Sequence, residues 1–405
     1  MFLQINDLFK LVAIAFAATC LLVFNLFSAP PIVEGAESLQ LGRSVESLSL
    51  GGVSLGLMPS AGAMLDHPAG GARLIRKNVM LQSGINMADI SPNMRGSQSI
   101  ENIPANITYI HPSPYGVFSG GVSTLFPVSS RIDLGYLSTI SFTFAKNVTD
   151  FIDFGLRLNF DYVVPNLNTG PRHSDFGGRN FVTGIASSWG INLDWSLILH
   201  FPIDAVRGPW SFRQVRLGFG SRDVGWPARL KNYNDDGLTL DGEIDAFVKL
   251  MDIARVGVGF DFITVVDQSS RNVFTSRLNL EGAFFYPFDV IGGFFSGLKN
   301  TFYLGPEKQH HFYINLGTFF SVAHFDFLPI TSGFGFLIHL EKVDLVFEQS
   351  LLLRIDPKSI IPGDFSLEGA SVGFTFQVKF GKVDKAKPVI DTSYWGEESI
   401  DKENE

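Results

Sequence analysis

Among the side chains able to do chemistry, the densest group is Asp241, Glu243 and Asp245, three carboxylates spaced two residues apart, with Lys249 close behind. On a strand this spacing puts them on one face about 7 Å from one another, a ladder suited to charge pairing rather than to two-carboxylate acid–base work. Arg157, Asp161, Arg277 and Glu281 complete the set of charges. No nucleophile motif and no Ser/His pairing accompanies them, so the chain is read as a non-enzyme with no cofactor. His310-His311 is the one histidine pair, but adjacent residues on a strand point oppositely and make a poor chelate, so no metal site is assigned. Gly257-Val258-Gly259 lies inside an alternating run rather than before a helix, which removes a phosphate loop.

The elements that carry these residues all have period two. Ser371–Phe380 alternates without fault: Val372, Phe374, Phe376, Val378 and Phe380 on one face, Ser371, Gly373, Thr375, Gln377 and Lys379 on the other. The same holds for Ile152–Tyr162, for Trp189–Phe201 with Ile198 as the one apolar residue on the polar face, for Arg255–Phe262, and for Phe274–Tyr286 with Phe285 out of phase. Leu238–Leu250 reads as another such strand. None of these runs repeats at the helical 3.6. Strands of roughly ten residues with one apolar and one polar face suit a tilted crossing of a bilayer. The reading is all-β: a transmembrane antiparallel β-barrel of about 14 strands, with 16 as the alternative.

The chain of 405 residues divides without a linker inside the strand region. Residues 1–35, with Lys10 ahead of the apolar run Leu11–Phe27, read as a secretory signal peptide containing the only cysteine, Cys20; a single anchoring helix is the alternative. Residues 36–77 are rich in Gly, Ser and Ala, 78–380 are the barrel, and 381–405 form a polar tail expected to be disordered in the periplasm. Glycine (41) and phenylalanine (39) are both abundant, as expected if phenylalanine faces lipid and glycine a crowded lumen. The net charge of −9 offers no basic stripe for nucleic acid.

Assigning short turns to one end and long loops to the other works from Asn78 onward: turns at Pro112–Pro114, Lys146–Asp150 and Met251–Ala254, long loops at Val164–Gly184 and Ser221–Gly237. Counting onward gives about fifteen strands, whereas single-chain bacterial barrels have an even number. The conflict falls between Phe288 and Leu304, where Leu298–Leu304 is one strand too many or Asp289–Phe295 hides another.

A barrel of this size has a lumen too wide for side chains to fill, so the segment before the first strand is expected to occupy it. That segment carries Ser60-Ala61-Gly62-Ala63-Met64-Leu65-Asp66-His67-Pro68-Ala69-Gly70-Gly71-Ala72. It resembles the hatch of the FadL/TodX-type outer-membrane transporters of hydrophobic compounds, spirochaetal relatives included, whose hatch has an Asn-Pro-Ala-Gly-like motif. Pro68, Ala69 and Gly70 match; His67 stands where the family has asparagine. The imidazole either adds a group that titrates near neutral pH or simply caps a turn. The resemblance implies passive uptake of long-chain fatty acids or other hydrophobic small molecules through the outer membrane of a diderm bacterium, gated by His67, Pro68, Ala69 and Gly70. Arg157 and Arg277 are the candidates for holding a ligand carboxylate. The partners implied are membrane lipids, the hydrophobic ligand and the barrel-assembly machinery. The rival readings are a structural or interaction barrel (adhesin, surface antigen or assembly partner) and a general porin.

Overall fold

The computed structural model describes residues 43–57, 60–88, 99–127, 134–165, 188–207, 210–226, 229–231, 245–247, 251–267, 272–286, 291–304, 310–321, 328–340, 343–355 and 367–381. Residues 1–42, which include the stretch read as a signal peptide, and residues 382–405, read as a polar tail, lie outside these ranges.

Fourteen strands close into one antiparallel barrel. In chain order they are β1 (Lys77–Ala88), β2 (Ser99–Ser113), β3 (Gly116–Pro127), β4 (Leu134–Thr149), β5 (Ile152–Pro165), β6 (Ser188–Arg207) and β7 (Trp210–Trp226), then, after two short strands, β10 (Met251–Asp267), β11 (Asn272–Tyr286), β12 (Ile291–Leu304), β13 (His310–Ser321), β14 (Leu328–Leu340), β15 (Val343–Ile355) and β16 (Leu367–Phe380). Each pairs with its neighbour in this order, and β1 pairs with β16 from Lys77↔Phe380 to Ala88↔Gly369. Closure satisfies every interior strand and leaves no edge, which is the condition for backbone to exist in a hydrocarbon layer.

The alternation sorts the side chains as the dyad pattern predicts. On β5, Asp153, Arg157, Asn159 and Asp161 are buried inside while Leu156 and Leu158 are exposed on the outer face. On β6, Trp189, Ile191, Leu193 and Trp195 face out and Asn192, Asp194, Ser196 and His200 in, with Ile198 buried on the lumen side. The side chain of Phe285 lies outside the described set. Among the described residues no helix is long and apolar enough to cross a membrane; the strands do the crossing. The chain is a transmembrane β-barrel of the outer-membrane type.

Three details differ from the sequence reading. The described part of Leu238–Leu250 is not a wall strand. The short strand β9 (Asp245–Phe247) pairs only with β8 (Arg229–Lys231), in a separate two-stranded sheet between β7 and β10. Period two marks extended chain whichever sheet it joins, so it does not separate this short pair from a wall strand. Of the carboxylate ladder only Asp245 is among the described residues, and it lies in β9; Asp241 and Glu243 lie outside them. Consequently Met251–Ala254 is no turn: Asp252 pairs with Arg222, so β10 starts at the end of the barrel away from the chain termini. The apparent conflict at Phe288–Leu304 also disappears, because Ile291–Leu304 is a single strand, and the count is fourteen.

Replacing residues 229–247 by a short Gly/Ser loop is expected to leave the heat-modifiable gel migration of the folded barrel unchanged. A wall strand removed at this point would abolish it. Conversely, Leu158→Arg on the outer face is expected to cost roughly 2–4 kcal/mol in unfolding from lipid vesicles if it lies near mid-bilayer.

Candidate functional site

The segment ahead of β1 contains little regular structure: α1 (Val45–Ser49), α2 (Ala61–Asp66) and a 3₁₀ turn at Pro68–Gly71. Ser44 and Ser60 cap the two helices, their hydroxyls accepting from Ser47 N (3.0 Å) and Ala63 N (2.8 Å). The helices are short and most of the remaining backbone is irregular, so its peptide groups need partners from elsewhere.

The barrel wall supplies them. Arg255 on β10 donates to Gly52 O (2.9 Å), Arg216 on β7 to Gly56 O (2.9 Å), and Arg157 on β5 to Met64 O and Leu65 O at the end of α2. Glu281 on β11 accepts from Ser54 N (2.5 Å) and Gly56 N (3.2 Å), and Ser196 on β6 accepts from Ala69 N (2.8 Å). Glycines on the same inner face make room for this backbone. A Cβ on Gly155 would meet Ala69 N at 2.4 Å, one on Gly259 would meet Gly56 O at 2.2 Å, and one on Gly317 would meet Leu50 C at 2.2 Å. These contacts reach β5, β10 and β13, well separated around the ring, so residues 43–72 lie across the lumen.

Side-chain pairs tighten the same arrangement. Glu46 on α1 bonds Lys299 (2.6 Å) and Ser60 Oγ (2.6 Å). Burial alone would raise the Glu46 carboxyl, but Lys299 and Ser60 outweigh it and hold it below the usual range. Asp66 accepts from Arg43 N (2.6 Å) and Ser44 Oγ (2.6 Å), tying the end of α2 to the start of α1; burial pushes its carboxyl up against the pull of Arg222, Ser44 and Arg43. Arg43 in turn pairs with Asp194 and, at 2.6 Å, with Asp223. Asp223 has φ 56°, and a bulge in the β6–β7 register lets its N–H donate to Asp194 (2.7 Å) while its carboxylate meets Arg43.

His67, Pro68, Ala69 and Gly70 are all buried in one compact turn. Gly70 O accepts from Ser60 N (3.1 Å), returning the turn to the start of α2, and a Cβ on Gly70 would lie 2.8 Å from Ala63. His67 joins α2 to the 3₁₀ turn, but its imidazole makes no cap hydrogen bond. The ring is fully buried and neither nitrogen has a partner among the described residues. Burial first, then the charges of Arg222, Arg255, Arg43 and Arg157, hold it well below the ordinary histidine pKa, so it is neutral.

A cavity of about 130 Å³ remains between the segment and the arc of wall formed by β16 and β1–β5. Val45, Leu48 and Leu65 of the segment and Leu125 and Leu137 of the wall give it apolar surface; Asn106, Thr139, Asn159, Arg43 and Arg157 add polar points. Arg157 therefore lines the cavity, with its donors directed to Thr143, Met64, Leu65 and Asp194. Arg277 is not among the lining residues and stands beside Asp261. The two arginines are not brought together. Arg216, Arg255, Arg43 and Asp194, which hold the segment, escaped the sequence reading. For Arg216 and Arg255 the signal was a glycine two residues away on the same strand face, Gly218 and Gly257, as Gly155 stands to Arg157.

The β1–β2 register passes from Ser83↔Ala105 to Asn86↔Asn102, giving Gly84 and Ile85 no partner on β2. Pro104 lies in this gap and has no N–H to donate. The cavity is lined there by both inner-face residues (Gly84, Pro104) and outer-face ones (Ser83, Ala105).

Two outcomes follow. Arg157→Ala leaves two buried carbonyls and Asp194 short of a partner, and is expected to cost about 3–5 kcal/mol, read as earlier thermal unfolding and faster proteolysis within residues 43–76. For His67 the folded pKa lies below the unfolded value of about 6.5, so its contribution to stability is complete above that pH and is lost as pH falls below it. The fall in melting temperature from pH 7 to pH 5 is expected to be smaller in His67→Asn than in the parent; equal slopes would contradict a buried neutral imidazole.

No protein-family model matches the sequence, and no curated protein matches it. Solved structures do. A TodX monoaromatic hydrocarbon channel carrying the deltaS2S3 mutation matches over 84% of this chain and 99% of its own, at 11% identity and a TM-score of 0.50. The Ralstonia pickettii toluene transporter TbuX matches over 84% and 99%, at 12% identity and a TM-score of 0.46, and a Pseudomonas aeruginosa FadL homologue over 87% and 98%, at 12% and 0.40. With its closed ring of fourteen antiparallel strands, the chain has the fold of the FadL/TodX-type outer-membrane channels.

Proposed function

We propose that the chain is a passive channel in a bacterial outer membrane for small hydrophobic molecules, with residues 43–76 as its hatch. The observation that carries this reading is the cavity between hatch and wall, apolar on several sides and placed where β1–β2 pairing lapses. Its volume of about 130 Å³ is close to that of an engineered apolar cavity of about 150 Å³ that takes benzene. The site suits a ring-sized molecule, or one end of a longer chain, better than a whole long-chain fatty acid. Such a molecule enters from outside, rests against Leu48, Leu65 and Leu137, and leaves through the wall at Gly84 and Pro104 when the hatch shifts.

Movement of the hatch involves the His67–Gly70 turn, because that turn links α2 to β6 through Ala69 and Ser196. The headgroup role proposed for Arg157 is replaced by a positioning role, and polar recognition falls to Asn106, Thr139 and Asn159.

Cells producing the protein are expected to take up labelled toluene faster than cells lacking it, with oleate as the comparison for a long chain. Leu137→Trp, which fills the cavity, is expected to abolish the increment while the variant still reaches the outer membrane. Uptake unaffected by Leu137→Trp would sink the cavity as the route. Deleting residues 36–72 is expected to raise single-channel conductance in planar bilayers, and an unchanged conductance would remove the hatch.

A further inference from the structure

On the outer face of the wall, Tyr109, Gly120, Phe142, Leu158 and Leu193 form one row across β2 to β6, each paired with the next. Gly120 is a notch in that row. A groove of about 650 Å³ opens over it, within the roughly 300–1,000 Å³ typical of small-ligand pockets. Phe142 beside the notch is 59% exposed. Most glycines of the wall are required by something: a Cβ would meet backbone of the lumen segment or of a neighbouring strand. Gly120 is not. A Cβ there would approach nothing closer than 3.9 Å, and its φ is not in the left-handed region. Packing and backbone conformation leave this glycine unexplained, and what it provides is open space on a surface that faces lipid.

The end of the groove toward the chain termini is polar. In the next row His111 pairs with Phe118 and Phe118 with Phe144. The Tyr109 hydroxyl lies 3.3 Å from His111 Nδ1. Lys77, one position before Asn78 (the partner of Ile110), and Lys146, which pairs with Phe154, flank this row, and both are exposed. Aromatic walls, an empty floor and cations at the membrane–water boundary match an acyl chain and an anionic headgroup.

We propose that the Gly120 groove holds one acyl chain of a single anionic phospholipid of the periplasmic leaflet, its phosphate held by Lys77, His111 and Lys146. The site is on the outside of the wall and does not depend on the channel reading. A bound lipid here stiffens β2–β5, the strands that also line the inner cavity.

The test is native mass spectrometry of the full chain in mild detergent, titrated with phosphatidylglycerol or with phosphatidylethanolamine. One phosphatidylglycerol is expected to survive, bound about tenfold or more tightly than phosphatidylethanolamine, as two lysines near the headgroup imply. Gly120→Leu fills the notch with a side chain at home in lipid and is expected to lose that molecule. Lys77→Gln with Lys146→Gln is expected to keep a bound lipid but lose the preference for the anionic class. Equal retention by parent and Gly120→Leu, or no difference between the two lipids in the parent, would overturn the proposal. So would a Gly120→Leu variant whose toluene uptake falls while its lipid binding is intact.

Discussion

An irregular stretch of backbone placed inside a closed barrel has peptide groups that neither a helix nor a sheet satisfies, and the wall must supply partners for them. Arg157, Arg216, Arg255, Glu281 and Ser196 do this from five different strands. Their charges are buried, and a buried charge is tolerated only when paired and hydrogen-bonded. Each arginine therefore has an acidic neighbour as well as a carbonyl: Asp194 for Arg157, Asp261 for Arg216, Glu281 for Arg255. The polar inner face and the irregular segment are two halves of one solution, each supplying the partners the other lacks.

That solution is lopsided. The hydrogen bonds to the segment described above come from β5–β7 and β10–β12, whereas toward β1–β4 Ala61, Met64, Leu65 and Ala72 pack on Met80, Ile110, Val117 and Ala145, and the cavity lies beside that apolar cluster. A barrel packed evenly all round would be a pillar with no vacancy. Hydrogen bonds on one arc and apolar packing on the other hold the segment by two different kinds of contact.

Much of this architecture was legible in the sequence because a strand's two faces are written directly in its alternation. Asp153, Arg157, Asn159 and Asp161 against Leu156 and Leu158 need no tertiary information. The strand count was harder, since period two identifies extended chain but not its partner: Asp245–Phe247 pairs with Arg229–Lys231 in a hairpin apart from the wall. The site was legible in place but not in roles. Pro68, Ala69 and Gly70 stood out, yet the sequence could not reveal that the buried His67 ring feels the charges of four arginines, because three of them lie on separate wall strands and Arg43 lies before α1. Arg157 was conspicuous as a charge, and its partners proved to be the segment's own carbonyls.

The closing seam between β1 and β16 bears on the order in which the molecule is assembled. The lumen segment runs directly into β1, and β1 is locked to the last strand over twelve residue pairs from Lys77↔Phe380 to Ala88↔Gly369. The two strands of that seam are the most distant in sequence, and such contacts form late because the intervening chain must be ordered first. Once they form, the ring around the segment is complete. Closure of the ring and placement of the segment are thus coupled through β1, which follows the segment directly in the chain and pairs with the last strand.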